Sequence, residues 1–314
     1  MAYLIKNKQS RSFIKKVRFM QKELVIKKYI GKYSGKITKE QFMLKNMNEL
    51  TSEELKFRKR FLNKIQDKLS YSQTLPEKVE KKSILIDNLI EIKNNKDLIY
   101  NEFAKEFIFN SNNIEGSKIP KNEVIKILET GKSKYRNKNE IKEVENSIKA
   151  FEYLLINFKF NLASIKRLYY ILTKNLNMEG DIPYPRGFKD VANVVNNKPT
   201  TNPENVEKEL QNLLNWYKKN RKKEHPLILA FKFHKIYEMI HPFLDGNGRT
   251  GRLIMNKILI SKGYFPLIVY KTNKLSYFNA LDKATEGRNK KYYQFMLEQA
   301  DKTYDFILKT IDKY

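Results

Sequence analysis

Cysteine is absent from this sequence of 314 residues, and tryptophan occurs once. Without cysteine the chain can form neither a disulfide framework nor a zinc site with thiolate ligands. Long apolar runs are also absent, since none approaches the roughly 20 residues that a membrane-spanning helix requires. Residues 1–6 lack the long apolar stretch of a signal peptide. We therefore expect a cytoplasmic protein without a membrane contact.

Acidic residues are scarce, because 35 Asp and Glu stand against 62 Lys and Arg, which gives a formal net charge of +27. The apolar share of 41% still indicates a folded chain of one large domain, or of one domain with an appendage. Residues 1–50 hold 13 basic against 3 acidic residues. This excess favours a nucleic acid or an acidic partner at the N-terminal segment. A biased genome composition is the alternative explanation.

The first 33 residues alternate apolar and basic positions and predict a small β-hairpin or meander with basic outer faces. Such a hairpin is marginal alone and must pack on another element. The run Thr51-Ser52-Glu53-Glu54 has the pattern of a capping box and predicts a helix that begins there. The basic residues of this helix are expected to face solvent: Lys56, Arg58, Lys59, Arg60, Lys64 and Lys68.

The rest of the chain has helical periodicity nearly to its end, so the predicted fold class is mainly α. The predicted helices cover residues 77–110, 120–130, 138–157, 162–175, 203–220, 226–241, 247–262, 274–286 and 290–312. Residues 188–197 interrupt this pattern with a β-branched run between turn residues, which predicts a short hairpin. An ordinary loop with an edge strand is the alternative there. His225 and His234 are expected to be packed side chains.

The segment His241–Arg252, with the sequence HPFLDGNGRTGR, stands directly before an apolar helical run. Its glycines let backbone N–H groups face an anion, and the first helical turn adds unpaired donors at the positive end of the helix dipole. Arg249 and Arg252 can bind phosphate oxygens, and Asp245 offers a hard oxygen ligand to Mg²⁺. His241 can accept a hydroxyl proton. The segment therefore predicts a polyphosphate site beside a general base, whereas a packing histidine and an ordinary turn are the alternative.

The same segment resembles the signature of Fic proteins, His-x-Phe-x-(Asp/Glu)-Gly-Asn-Gly-Arg-x-x-Arg, and it matches every specified position. The resemblance implies a Fic-type helical bundle that transfers AMP from ATP to a Ser, Thr or Tyr hydroxyl of a target protein. It implies that His241 deprotonates this hydroxyl, that Asp245 holds Mg²⁺ or Mn²⁺, and that Phe243 anchors the loop. The residues implied to bind phosphate are Gly246, Asn247, Gly248, Arg249 and Arg252.

The resemblance extends to both sides of the motif. The predicted hairpin corresponds to the Fic flap, which holds a target segment over the nucleotide by main-chain pairing. The segment with Tyr277 and Phe278 resembles the helix that lines the adenine pocket in the family. Thr285 stands where close relatives often carry Asn, so the resemblance leaves the preferred base open. The flap residues implied to line the nucleotide are Asn193, Val194, Val195 and Asn196.

Upstream of the motif, residues 111–116 match the Fic autoinhibition pattern (Ser/Thr)-x-x-x-Glu-(Gly/Asn). Ser111 and Glu115 are four residues apart and would share one face of an inhibitory helix over about 107–116. The pattern implies that the Glu115 carboxylate pairs with Arg252 and occupies the place of the γ-phosphate. Its position before the core resembles class II Fic proteins.

The favoured function is thus an autoinhibited protein adenylyltransferase, which could also label itself and, like many family members, dimerise. Removal of AMP and transfer of UMP are alternatives at the same site. A nucleotide sensor with a nucleic-acid-binding N-terminus is the alternative without catalysis. The predicted organisation is a basic segment over 1–50, a helical region over 51–160, a catalytic core over 161–300 and a helix end over 301–314.

Overall fold

A computed structural model describes residues 2–7, 10–32, 37–178, 181–195 and 198–314. Within these ranges the N-terminal strands form one antiparallel meander, which confirms the prediction for residues 1–33. Its strands are β1 (Ala2–Asn7), β2 (Ser10–Phe19) and β3 (Lys22–Lys32). Alternate side chains of β2 and β3, such as Phe13 and Ile26, are buried against the first helices. The meander therefore acquires its stability by packing, as a small sheet must.

The helices of the described ranges dominate the fold, as the mainly α prediction requires. None of these described helices is both long and apolar enough to cross a membrane. Their bounds are α1 (Lys39–Lys45), α2 (Met47–Leu62), α3 (Gln66–Leu69), α4 (Leu75–Lys93), α5 (Lys96–Ile114), α6 (Lys121–Thr130), α7 (Lys138–Ile156), α8 (Leu162–Thr173), α9 (Pro203–Asn220), α10 (Pro226–Ile240), α11 (Asn247–Ser261), α12 (Lys274–Thr285) and α13 (Asn289–Lys313).

Two predicted helix boundaries were wrong. Thr51 does not begin a helix, because α2 starts at Met47 and Thr51 is buried within it. The capping box of this region lies instead at Thr38 and opens α1. The predicted helix 77–110 is interrupted between α4 and α5, where Asn94 adopts the left-handed conformation with φ of +51°. Asparagine tolerates this conformation, which ends a helix.

The expectation that all basic residues of the helix predicted from Thr51 face solvent was wrong for Arg58. It is buried and pairs with Glu54 at 2.6 Å and with Glu80 of α4 at 3.4 Å. Lys15 of the meander reaches the same Glu54 at 2.6 Å. Buried charges are tolerated when they are paired in this way, and such a partner from another helix is invisible in a helical pattern.

The motif His241–Arg252 comprises the loop after α10 and the first turns of α11. These two helices pack against each other and against α5, α7, α8, α9, α12 and α13. The site is therefore carried by two central helices rather than by peripheral ones. A hairpin is present here as predicted, but it is shifted beyond 188–197, since β6 (Val194–Val195) pairs antiparallel with β7 (Lys198–Pro199). A second short pair joins β4 (Asn177–Met178) to β5 (Ile182–Pro183).

Candidate active site

The loop from His241 to Gly246 is fixed by Phe243, which is fully buried, as an anchor should be. Its ring stacks on Tyr169 with centroids 3.8 Å apart and an interplanar angle of 4°. The Asn247 side chain accepts from the Phe243 N–H and donates to the Phe243 carbonyl, both at 2.8 Å. Gly246 then caps α11 with φ of +79°, a left-handed conformation that glycine adopts without strain. The loop thus delivers a rigid helix N-terminus.

His241 ends α10 in a left-handed conformation, with φ of +50°. Its Nδ1 lies 3.3 Å from the backbone carbonyl of Glu238, and a carbonyl can only accept a hydrogen bond. The proton of the neutral imidazole therefore resides on Nδ1, which leaves the lone pair of Nε2 available. Burial lowers the pKa of His241 to about 4, against a weaker opposing effect of that carbonyl. At neutral pH the ring is a neutral proton acceptor.

His241 opens onto a cavity of about 910 Å³, which is within the range of small-molecule sites. Apolar walls come from α10 and α12, including Met239, Phe278 and Leu281. Eight of the predicted site residues line this cavity. They are Glu115, Val195, His241, Gly248, Arg252, Tyr277, Phe278 and Thr285.

Arg252 of α11 and Glu115, the residue that follows α5, meet at the motif end of the cavity. Nη2 of Arg252 donates to Oε1 of Glu115 at 2.6 Å and to the Ser111 carbonyl at 2.9 Å. Nε donates to the Ser111 hydroxyl at 3.1 Å. Within the described ranges Nη1 makes no hydrogen bond, although the guanidinium is buried. An unused buried N–H donor next to a helix N-terminus is suited to an anion.

Gly248 explains how the carboxylate comes so close to this helix N-terminus. A β-carbon at residue 248 would overlap the Glu115 carboxylate and would lie 2.8 Å from Nη1 of Arg252. Only glycine therefore permits the observed contact between Glu115 and Arg252. The sequence suggested that Gly248 allows backbone to approach an anion closely, and in the structure this anion is the Glu115 carboxylate.

Arg249 and Asp245 form a second polar cluster that does not line the cavity. Arg249 contacts Glu143 of α7 at 3.2 Å and Asp245 at 3.6 Å. Asp245 also accepts from the Tyr184 hydroxyl at 2.5 Å. Burial raises the pKa of Asp245, but Arg249 and the hydrogen bonds from Tyr184 and the Gly246 N–H outweigh it and hold the pKa below its usual value. Asp245 is therefore an ionised carboxylate.

The flap hairpin is tied to the motif loop by Lys189, a buried residue that the sequence did not single out. Its backbone N–H donates to the Pro242 carbonyl at 2.9 Å, and its ammonium contacts Asn193 at 2.6 Å and Thr200 at 2.5 Å. Asn193 also donates to the Phe243 carbonyl at 3.1 Å. Burial lowers the pKa of Lys189 to about 8. The flap base is thus a fixed part of the site.

Lys198 of the flap also lines the cavity and bridges to the end of α12. Its ammonium contacts the Thr285 hydroxyl at 3.1 Å and Glu286 at 3.4 Å. Deeper in the wall, His234 lies between Tyr277, at 3.2 Å, and Tyr292, at 2.9 Å. His234 is therefore packed, as expected. His225 is likewise buried, at the N-terminus of α10.

Several predicted residues lie away from the cavity or beyond the described ranges. Asn196 lies outside the described residues, so its predicted contact stays a prediction. The described ones that do not line the cavity are Ser111, Asn193, Val194, Asp245, Gly246, Asn247 and Arg249. They surround the site instead, since Ser111, Asn193 and Asn247 hold lining residues or the motif loop in place.

Glu238 is a lining residue that sequence reasoning missed. It lies one turn before His241, and its Oε1 is 3.4 Å from Nε2 of His234. Burial raises the pKa of Glu238 to about 8, although Arg252 opposes this. The carboxyl is therefore mostly protonated at neutral pH. Its position one helical turn before His241 could have indicated Glu238 as a site residue, but only the fold shows that its side chain faces the cavity rather than solvent.

Comparison with known proteins places this site in a family. The Fic/DOC family profile matches residues 159–259. A protein named protein adenylyltransferase Fic from Nematostella vectensis is 28% identical over 215 residues, which are 67% of this chain and 50% of that protein. The protein of the same name from Drosophila grimshawi is 40% identical over 84 residues, 27% of this chain and 17% of that protein. The chain thus spans half or less of the length of these curated relatives.

Solved structures share the fold. A Fic family protein from Desulfovibrio desulfuricans superposes with a TM-score of 0.64 at 22% identity, over 76% of this chain and 74% of that one. A Fic-domain signaling protein from Bacteroides thetaiotaomicron gives a TM-score of 0.62 at 20% identity, over 70% and 92%. These identities support the fold alone, whereas the sequence match covers the motif itself. That match covers residues 159–259, including the motif, and it assigns this part of the chain to the Fic/DOC family.

Proposed function

We propose that this chain is a protein adenylyltransferase that transfers AMP from ATP to a serine, threonine or tyrosine hydroxyl of a target protein. The observation that carries the proposal is the convergence of two groups on one cavity of nucleotide size. His241 offers a neutral imidazole, and Arg252 offers an unused donor at a helix N-terminus. The names of the curated relatives support the same activity.

In the proposed reaction the hydroxyl oxygen attacks the α-phosphorus of ATP, and the bond from that phosphorus to the bridging oxygen breaks. Pyrophosphate leaves, and Nε2 of His241 accepts the hydroxyl proton. The first-turn N–H groups of α11 and the guanidinium of Arg252 stabilise the phosphate charge. Catalysis then depends mainly on positioning and on charge stabilisation, as in phosphoryl transfer generally.

The ionised Asp245 fits a divalent cation, Mg²⁺ or Mn²⁺. One carboxylate is sufficient where phosphate oxygens and waters complete the coordination. The bound ion would neutralise charge on the α- and β-phosphates. Tyr184 and Arg249 hold the Asp245 carboxylate in one orientation. Asn247 and Gly248 would provide backbone donors to phosphate, whereas the Gly246 N–H already donates to Asp245.

Target recognition is part of the same proposal. Val194 is 63% exposed at the flap, so an extended target segment could pair with β6 through its main chain. Tyr277, Phe278 and Thr285 would surround the base. Self-labelling, a homodimer, a nucleic acid or acidic partner at residues 1–50, and the cytoplasmic location stay predictions. So does the division into 1–50, 51–160, 161–300 and 301–314.

Regulation follows from the contact between Glu115 and Arg252. The Glu115 carboxylate accepts a hydrogen bond from the guanidinium that would bind the γ-phosphate, so we propose an autoinhibited resting state. Ser111 stabilises this state through its hydroxyl and its carbonyl. Because the carboxylate reaches α11 only past Gly248, inhibitor and nucleotide compete for the same donors.

The test is a labelling assay with Mg²⁺ and α-labelled ATP, UTP, GTP or CTP. We expect weak self-labelling of the wild type, strong ATP-dependent labelling by Glu115→Gly, and none by Glu115→Gly/His241→Ala. Binding of ATP without any labelling of itself or of a cell extract would contradict the transferase and favour the sensor. Labelling by UTP alone would favour UMP transfer, and loss of AMP from a pre-labelled protein would favour AMP removal.

A further inference from the structure

Two basic grooves lie on a surface that the catalytic site does not use. The first groove, of about 340 Å³, forms where the β2–β3 turn meets the segment after α9. Gln21 in the turn donates to the Lys222 carbonyl at 2.8 Å, which joins the two segments. The cations that line the first groove are Arg18, Arg221, Lys222 and Lys262. Three segments that are distant in the sequence thus place four cations together.

The second groove, of about 410 Å³, adjoins the first, because Glu224 lines both. It runs between α3, α10 and the start of α13. Its cations are Lys68, Lys232, Arg288 and Lys290. Glu224 is the one acidic residue among the described lining residues of both grooves, against eight basic ones. Such a one-sided lining attracts polyanions.

Few carboxylates compensate these cations. Arg18 pairs with Glu23 at 3.0 Å and Arg288 with Glu286 at 3.8 Å, but both pairs are exposed and are therefore weak. Within the described ranges no ion pair is formed by Lys68, Arg221, Lys222, Lys232, Lys262 or Lys290. Apart from Lys262, whose ammonium donates to the Arg221 carbonyl, the positive charge of the two grooves is therefore largely available to a ligand.

Aromatic rings lie beside the second groove. The Lys290 ammonium is 4.6 Å from the Tyr71 ring, and Tyr71 is 62% exposed. The Lys232 ammonium lies 4.9 Å from the Trp216 ring. Cations interleaved with accessible aromatic rings are typical of surfaces that bind single-stranded nucleic acid, where bases stack and phosphates are neutralised.

The second groove also borders the catalytic cavity. Asn289 lines the groove, and it accepts at 2.8 Å from Lys235, which lines the cavity. Glu286 lines the cavity, whereas the next two residues line the groove. A ligand along both grooves would therefore end beside the nucleotide site.

We propose that the two grooves bind the phosphodiester backbone of single-stranded nucleic acid. The surface differs from the N-terminal segment that the sequence indicated, because six of its eight cations lie beyond Lys68. It would hold a nucleic-acid-bound target protein beside His241. The binding itself does not depend on the proposed adenylyl transfer, so it can be tested in the absence of ATP.

The experiment measures fluorescence anisotropy of a labelled 20-nucleotide RNA, and of the matching DNA strand, with the full chain at 50–300 mM KCl. If four or five phosphates are neutralised, log K should fall with log[salt] with a slope of about −3. The variants Arg221→Glu/Lys222→Glu and Lys68→Glu/Lys290→Glu should each weaken binding about tenfold or more at 100 mM salt.

The matched control is Lys132→Glu/Lys134→Glu, which makes the same change of charge at exposed residues outside both grooves. It should bind within about twofold of the wild type, if the grooves rather than the net charge are responsible. Absence of binding at 50 mM KCl would overturn the proposal, as would equal weakening by the control. Equal competition by polyglutamate of matched charge would replace it with an acidic protein partner.

Discussion

Glu115→Gln tests the inhibitory contact with the smallest change of shape. The glutamine oxygen can still accept from Arg252, but the negative charge is lost. In the wild type this contact is 2.6 Å long, and the two side chains are 24% and 1% exposed. A charge-assisted hydrogen bond contributes about 1.5–3 kcal/mol, and part of this is lost with the carboxylate charge because only Arg252 stays charged. The substitution should therefore weaken the contact by about 1–2 kcal/mol.

The same free energy opposes ATP if the carboxylate competes with the γ-phosphate. Because 1.4 kcal/mol corresponds to a factor of ten, the affinity for ATP should rise about 5- to 30-fold. At subsaturating ATP the initial rate of AMP incorporation should rise by a similar factor. The midpoint of thermal unfolding should fall by a few degrees, since the native state loses the same contact.

Two measurements decide this prediction: titration with ATP and the initial rate with α-labelled ATP. Glu145→Gln is the matched control, because it removes one carboxylate charge from a surface pair with Lys142. The control should leave both quantities unchanged. A lower unfolding midpoint without tighter ATP binding would show that Glu115 is structural rather than inhibitory, and would refute the reasoning.

Three further predictions concern His241, Gly248 and Glu238. With a pKa of about 4, His241 stays neutral above pH 5. Protonation of His241 should therefore cause no loss of kcat/KM in Glu115→Gly between pH 8 and 6. His241→Ala should abolish labelling without loss of ATP binding. Gly248→Ala should destabilise the fold by about 1–3 kcal/mol, because the added methyl group overlaps both Glu115 and Arg252. It should not reproduce the gain in labelling of Glu115→Gln. Thermal unfolding and the labelling rate check these two expectations. The pKa of Glu238 is raised to about 8 in the folded state, so its contribution to stability is fully present below the unfolded pKa of about 4.3 and is lost as pH rises to 8. Glu238→Gln should reduce this loss in unfolding midpoints measured from pH 5 to 9. An unchanged dependence of the midpoint on pH would contradict a buried neutral carboxyl.

Helix boundaries show one limit of prediction from the sequence. The periodicity of 77–110 is continuous, yet the chain breaks at Asn94 because one residue adopts a left-handed conformation. Arg58 shows another limit, since it has the spacing of a solvated residue but is buried opposite Glu80. In both cases the deciding interaction involves packing that no local pattern encodes.

The sequence by itself determined the chemistry of the motif. In residues 241–252 the base, the glycines and the helix start are contiguous, so local backbone geometry alone brings them together. Only the tertiary structure decided which partners these residues have. Glu115 and Arg252 are 137 positions apart, and Tyr184, Lys189 and the two basic grooves likewise depend on which helices and loops pack side by side. Contacts between distant segments follow from packing of the whole chain, and this is why the inhibitory contact could be inferred only through family resemblance and the grooves could not be inferred at all.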